Sequence, residues 1–348
     1  MGAKRTNRTG AALRRTMSAC DCGYGDPVLG KVLGAVGKVL IVSGLLVLGF
    51  VAYQLWGTSL ETDRGQSQLT GELAAEVVTD DGGDEPAAEL DVSELNAELA
   101  EVDPVTAPPT APPPEGDPVG IITMPRIDAQ HVIVEGVSKA DLKKGPGHYP
   151  GTPLPGQAGN AGIAGHRTTY GAPFNRIDEL VPGDEVLIAT PQGEFTYRVV
   201  PAPGQPADGQ AWYTVAPSQV EVLADMGDDR ITLTACHPKY SARERIIVHA
   251  VLESPPAKAE PVVVDEPEAE PPPTVEQTAA EFEEGLEGDP GALRSVVLFG
   301  LGAAALAALA WFLGRYTRTW VVYVLAAPGV LVLVWFGYVY MDRYLPAL

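Results

Sequence analysis

Three side chains in the middle of the sequence have the chemistry of acyl transfer: Cys236, His166 and Arg245. A thiol attacks a carbonyl carbon, an imidazole takes and returns protons, and a fixed guanidinium steadies the oxyanion. Cys236 is the only cysteine in the long central stretch; Cys20 and Cys22 lie near the N-terminus. It falls in Ile231-Thr232-Leu233-Thr234-Ala235-Cys236-His237-Pro238, whose apolar and small polar residues alternate with the period of a half-buried strand. Pro238 cannot donate a ladder hydrogen bond, so pairing is expected to end there and leave the thiol at the mouth of the strand. His166 lies in Gly159-Asn160-Ala161-Gly162-Ile163-Ala164-Gly165-His166-Arg167, where flanking glycines let the backbone approach closely and leave the ring reachable. Arg245 opens a final strand in Arg243-Glu244-Arg245-Ile246-Ile247-Val248.

Each role has rivals. His237 adjoins the cysteine, but neighbours on a strand point to opposite faces, so it is expected to pack or hydrogen-bond locally. His148 sits in a Gly/Pro-rich loop, where it either shapes a groove or serves the fold. Arg243 shares the parity of Arg245, and Arg245 is preferred. His131 and His249 have apolar strand neighbours and read as ordinary strand histidines.

The elements that must position these groups lie in residues 117–253, the one globular stretch. Eight short strand-like runs are expected there: Val119 to Met124, His131 to Val134, Ala161 to Ala164, Glu185 to Ala189, Phe195 to Val200, Val220 to Leu223, Ile231 to Ala235 and Arg245 to Leu252. Gly/Pro-rich turns separate them, which points to an all-β barrel or sandwich with one short helical piece around Pro173 to Leu180.

Around that stretch the chain alternates between apolar and acidic segments. Residues 1–38 are basic, and residues 39–56 form an apolar run that reads as an uncleaved transmembrane signal anchor ending at Trp56. Residues 57–116 and 254–293 are Glu/Pro-rich and are expected to be disordered linkers. Residues 295–314 and 320–340 form two further spans of membrane length. Basic residues before the first span and at the Arg315-to-Thr319 turn place both on the cytoplasmic side, so the globular stretch is expected outside a multi-pass membrane protein.

Bulk composition excludes more than it includes. The 348 residues hold 32 prolines and 38 glycines, concentrated where no core can form. The net charge of −21 resides mostly in the two linkers, and no basic stripe interleaved with aromatics suggests nucleic acid. Three cysteines make no disulfide framework, and Cys20 and Cys22 read as free cytoplasmic thiols. Gly25 to Lys31 fits a phosphate-loop spacing, but Val32 replaces the required hydroxyl and no strand precedes it. No acidic or His/Cys cluster suggests a metal or other cofactor.

Together these stretches resemble the sortases of Gram-positive bacteria. Thr232-Leu233-Thr234-Ala235-Cys236 is similar to their TLxTC strand, and Ala164-Gly165-His166-Arg167 to their histidine loop. Gly145 to Thr152 and Gly156-Gln157 are similar to the family's approach to that loop. The nine-residue step from Cys236 to Arg245, the Cys-x-Pro and the His148-Tyr149-Pro150 look most like the class E sortases of high-GC bacteria. The resemblance implies an eight-stranded β-barrel and a membrane-tethered transpeptidase. Such an enzyme cleaves an LPxTG or LAxTG sorting signal of a secreted protein after Thr and passes the acyl group, through a thioester, to an amine of a peptidoglycan precursor. It further implies Cys236 as nucleophile, His166 as general acid/base and Arg245 as oxyanion and substrate-orienting group. Thr234, Tyr149 and His148 are carried over as groove residues. The C-terminal span pair departs from the family's usual single anchor. Alternatives are a pilin polymerase, for which the Asp-Pro-aromatic lid triplet is missing, a cysteine hydrolase, and a non-catalytic module binding peptides.

Overall fold

The computed structural model describes residues 27–78, 91–260, 277, 289–317 and 320–345. Cys20, Cys22 and the central parts of both expected linkers lie outside the described residues. Two compact units are present, Met1–Gly49 and Phe50–Leu348. The first contributes most of the apolar helix α1 (Pro27–Ala52); everything below concerns the second.

Nine strands carry its sheet: β1 (Pro118–Met124), β2 (Ala129–Glu135), β3 (Gly147–His148), β4 (Asn160–Ala164), β5 (Glu185–Thr190), β6 (Gly193–Val199), β7 (Trp212–Val215), β8 (Arg230–His237) and β9 (Glu244–Leu252). Their order is β6-β5-β1-β2-β3-β4-β8-β9, and β9 pairs again with β6, so eight strands close into a barrel. The resemblance implied that closure. β7 is additional: it pairs with the first half of β9, leaving the second half for β6.

Alternation decides which side chains fill the barrel. On β8 the core takes Ile231, Leu233 and Ala235. Thr232, Thr234 and Cys236 therefore face the other way, yet they too are buried, under cover outside the barrel. On β9 the core takes Ile246, Val248 and Ala250, which turns Arg245, Ile247 and His249 to the same outer side.

Two expectations change and two strands are added. Val220–Leu223 is a 3-10 turn rather than a strand, and the helical piece near Pro173 is a 3-10 turn at Ile177–Glu179. β3 was hidden by its brevity inside a Gly/Pro run. β7, Trp-Tyr-Thr-Val, was legible by composition but lies behind the polar, Gly-rich stretch 204–210.

The expectation of a disordered linker over residues 57–116 is overturned for its described parts. Helix α2 (Thr58–Val78) and helix α3 (Val92–Ala100) pack Leu69, Leu73, Ala74, Leu95 and Leu99 against Ile121, Val132, Val134 and Ala189. The i, i+4 pairs Leu69/Leu73 and Leu95/Leu99 form two apolar patches that the Ala/Glu-rich average conceals. Burying each leucine contributes about 1.5–3 kcal/mol, enough to order a segment of low mean hydropathy. Asp91 and Glu94 close a capping box at the start of α3. From α2, Gln66 donates to the carbonyls of Val132 (3.0 Å) and Lys144 (2.9 Å) and accepts from the Val132 N–H (2.8 Å).

The chain near the second linker also adds to the barrel. Ala257 and Ala259 bridge to Gln157 and Thr110, and Gln192 donates to the carbonyls of Pro108 and Lys258. After the one-turn helix α4 (Lys139–Leu142), the remaining helices are α5 (Ala292–Tyr316) and α6 (Trp320–Tyr344). They pair through Phe299, which stacks on Phe336 and Tyr340 with ring centroids 5.4 Å apart. At the junction of α1 and α2, Tyr53 meets Trp335 edge-on at 5.0 Å. Among the described residues, three helices are long and apolar enough to cross a membrane.

Candidate active site

Three consecutive strands bring the candidate groups together. The antiparallel β8–β9 ladder sets Cys236 opposite Arg245 and Thr234 opposite Ile247. The parallel β4–β8 ladder sets Ala164 beside Thr234, and the Gly165 N–H donates to the Thr234 carbonyl at 3.0 Å. Cys236 lies two residues further along β8 and His166 two residues past the end of β4, so both follow the same end of that ladder. The Ala164–Arg167 loop, the end of β8 and the start of β9 therefore converge.

All three groups are covered: Cys236 and Arg245 are 5% exposed and His166 is 4% exposed. Burial pushes the Cys236 thiol up, and the guanidinium groups of Arg245 and then Arg167 oppose that rise. The thiol is therefore neutral at neutral pH, and its activation needs a base. Arg245 is steadied by its own loop, its Nη1 donating to the carbonyls of Ala242 (3.0 Å) and Glu244 (3.3 Å). Arg243 is exposed, whereas Arg245 is buried.

Tyr149 reaches the same surface. Its hydroxyl lies 3.1 Å from Thr234 Oγ1, and burial pushes its phenol up to about 12, so it stays protonated. Tyr149, Thr234 and Arg245 line a cleft with Val222, Leu223 and Ile247. Gly162 makes room: a Cβ there would lie 2.8 Å from both the Leu223 and Tyr149 side chains.

His148 does not line this cleft, which corrects its assignment as a groove residue. It is fully buried, with Nδ1 2.7 Å from Glu135 and Nε2 2.9 Å from the Pro153 carbonyl. Its ring ties β2 to the turn after β3. His237 packs as expected: its ring lies 5.6 Å from Trp212, and its Nδ1 accepts from Arg167 Nη1 at 3.1 Å. His249 bonds to Thr232 (2.9 Å) and Tyr213 (2.8 Å) as a strand histidine.

Arg167 is the residue to which the sequence reading gave no role. It is 1% exposed and paired to Asp178 at 2.7 Å, and its charge reaches the thiol. Its place directly after His166 was the available signal; its partners, 11 and 70 residues away, were not legible. Among the described residues no three His, Cys, Asp or Glu side chains gather as metal ligands.

A closed barrel carrying a strand-end thiol beside a guanidinium, with an imidazole on the adjoining loop, has the architecture of a cysteine acyltransferase. Residues 122–253 match the sortase domain model. The chain is 31% identical over 244 residues to sortase SrtE1 of Streptomyces coelicolor, covering 65% of this chain and 59% of that protein. It is 28% identical to sortase D of Bacillus subtilis (57% of this chain, 86% of that protein). To SrtE2 of Streptomyces coelicolor it is 25% identical (64% and 82%). Residues 122–253 thus carry the likeness to the sortase domain, the chain is similar to sortases of Streptomyces coelicolor and Bacillus subtilis, and it spans about three fifths of the length of SrtE1.

Proposed function

We propose that this chain is a membrane-anchored transpeptidase that joins secreted proteins bearing an LPxTG- or LAxTG-type signal to an amine of a cell-wall precursor. The Cys236 sulfur attacks the carbonyl of the signal's Thr, and His166 takes the thiol proton and delivers it to the departing Gly amine. The C–N bond breaks as the C–S bond of a thioester forms. Arg245 steadies the oxyanion in each tetrahedral intermediate. An incoming amine then attacks the thioester, His166 accepts its proton, and the thiol is regenerated. The observation that carries this reading is the register of β4, β8 and β9, which gathers thiol, imidazole and guanidinium at one end of the barrel.

The membrane part of the reading has its own support. With the N-terminus and the α5–α6 turn in the cytoplasm, the end of α6 emerges on the same side as the barrel. Asp342 and Leu345, at that end, contact Lys143 and Lys139 of the barrel unit.

Intact-mass spectrometry of the full chain in detergent, mixed with LPxTG and LAxTG peptides, tests the chemistry. The expected species is an adduct on Cys236 equal to the peptide through Thr, discharged by glycine- or diaminopimelate-type amines into a new amide. Cys236→Ala forms no adduct. A folded protein with a reactive thiol and no adduct from either peptide would sink the substrate assignment. Release of free acid unaffected by added amine would make the protein a hydrolase.

A further inference from the structure

A polar cluster at the end of α6 is not used by the chemistry above. Asp342 is a carboxylate near the tip of a helix apolar enough to cross a membrane, and it is buried. Such a charge is unfavourable there unless it is met by partners. Tyr170 meets it by donating its O–H to Asp342 Oδ2. Lys143 meets it with Nζ 3.5 Å from the same oxygen, and Nζ also lies 4.9 Å from the centre of the Tyr170 ring. Glu61 of α2 completes the group, 3.8 Å from Lys143.

Tyr170 links this cluster to the candidate acid/base. It belongs to the loop that begins at His166, and the two rings lie 5.2 Å apart at 36°. Its backbone is left-handed, with φ +52°, a conformation that a bulky residue keeps only when its surroundings demand it. The demand is visible: its N–H donates to Thr58 Oγ1 of α2 at 3.2 Å, and its hydroxyl is held by α6. Burial first, and then the Asp342 carboxylate, holds the phenol far above its ordinary value, so it remains a donor.

We propose that Asp342 and Tyr170 are positioning residues for His166, a latch through which the C-terminal helix pair sets the imidazole relative to the Cys236 thiol. Neither touches the reacting atoms. The inference rests on the acid/base role proposed for His166. It gives the helix pair a role in turnover beyond anchoring.

Steady-state transpeptidation by the full chain in detergent, with an LPxTG peptide and an amine, tests the latch in Asp342→Asn, Asp342→Glu, Tyr170→Phe and His166→Ala. Asp342→Asn and Tyr170→Phe are expected to lower kcat about ten- to a hundredfold with KM within about twofold. Asp342→Glu, which keeps the acceptor, is expected to restore most of kcat. The rate of Cys236 alkylation by iodoacetamide, which needs no peptide, is read in parallel and is expected to fall together in His166→Ala and Asp342→Asn. Wild-type values in Asp342→Asn and Tyr170→Phe beside an inactive His166→Ala would overturn the latch and leave the role of His166 intact. Wild-type values in His166→Ala would overturn that role, and the latch with it. A lowered melting temperature in Asp342→Asn, with no recovery of kcat in Asp342→Glu, would make the cluster merely structural and overturn the proposal.

Discussion

The reactivity of Cys236 is set by opposing effects on one thiol. Burial favours the neutral form, while Arg245 and, less strongly, Arg167 favour the thiolate. Because the first effect wins, the reactive fraction increases with pH through and above the ordinary thiol range. Replacing Arg245 by Ala removes the larger opposing charge. Alkylation of Cys236 at pH 7.5 is then expected to slow about tenfold, the equivalent of one pH unit, with the rate-against-pH curve displaced to higher pH. Arg167→Ala is expected to displace it less. Stopped-time alkylation across pH 6 to 10 reads both; an unmoved curve in Arg245→Ala would remove that residue from the thiol's environment. At this scale the sequence was informative about placement along strands, as with Cys236 opposite Arg245 at the ends of β8 and β9. It was uninformative where burial decides. His148 shares the Gly-rich setting of His166, yet it is a strut inside the fold, held by Glu135 on β2 and by the Pro153 carbonyl five residues on.

The β8–β9 ladder does more than present the site. Thr232 and His249 are cross-strand partners, and the imidazole is enclosed between Thr232 and Tyr213. Burial first, then Arg230, lowers His249 to about 4, against the pull of Asp228. The folded ring therefore binds a proton more weakly than the unfolded one. Its contribution to stability is complete above the unfolded value near 6.5 and is lost as pH falls through 4. That loss amounts to on the order of 3 kcal/mol. Urea unfolding at pH 7, 5.5 and 4.5 is expected to show the wild-type midpoint converging on that of His249→Gln as pH falls; a constant separation would contradict it. Elements with a clear period, such as β8 and β9, were legible in the sequence. α2 and α3 were not, because four leucines in two i, i+4 pairs order them while the average composition reads as solvated. β3 is made by pairing alone, since two residues carry no period.

In the whole molecule, the barrel cannot be separated from the segments that flank it. α2 and α3 cover one face, and residues near both linkers bridge to the loop after β3 and to each other. The C-terminal pair meets the barrel unit at Lys139, Lys143 and Tyr170. The proposed topology predicts that an alkaline phosphatase reporter fused after Leu345 is active in cells, whereas one inserted at Thr317 is inactive. The opposite pattern would invert the membrane orientation. The sequence supplied the spans and their charge bias. It was silent on where the last span ends against the barrel, because that contact joins residues 172 positions apart.

Gln66 adds a consequence of a different kind. β2 pairs with β3 only at Val134 and Glu135, so the Val132 N–H and C=O are directed to a side where no strand follows. An open strand edge of this sort is a template for a neighbouring chain. Gln66 occupies it with an amide that imitates a strand's own donor and acceptor, and the burial of Leu69 and Leu73 holds that amide in place. Helix α2 thereby covers the edge at Val132 that a second chain would otherwise be free to pair with. Gln66→Ala should leave the transpeptidation site intact yet raise light scattering on mild heating, and a variant that stayed as monodisperse as the wild type would show that the edge is protected by other means.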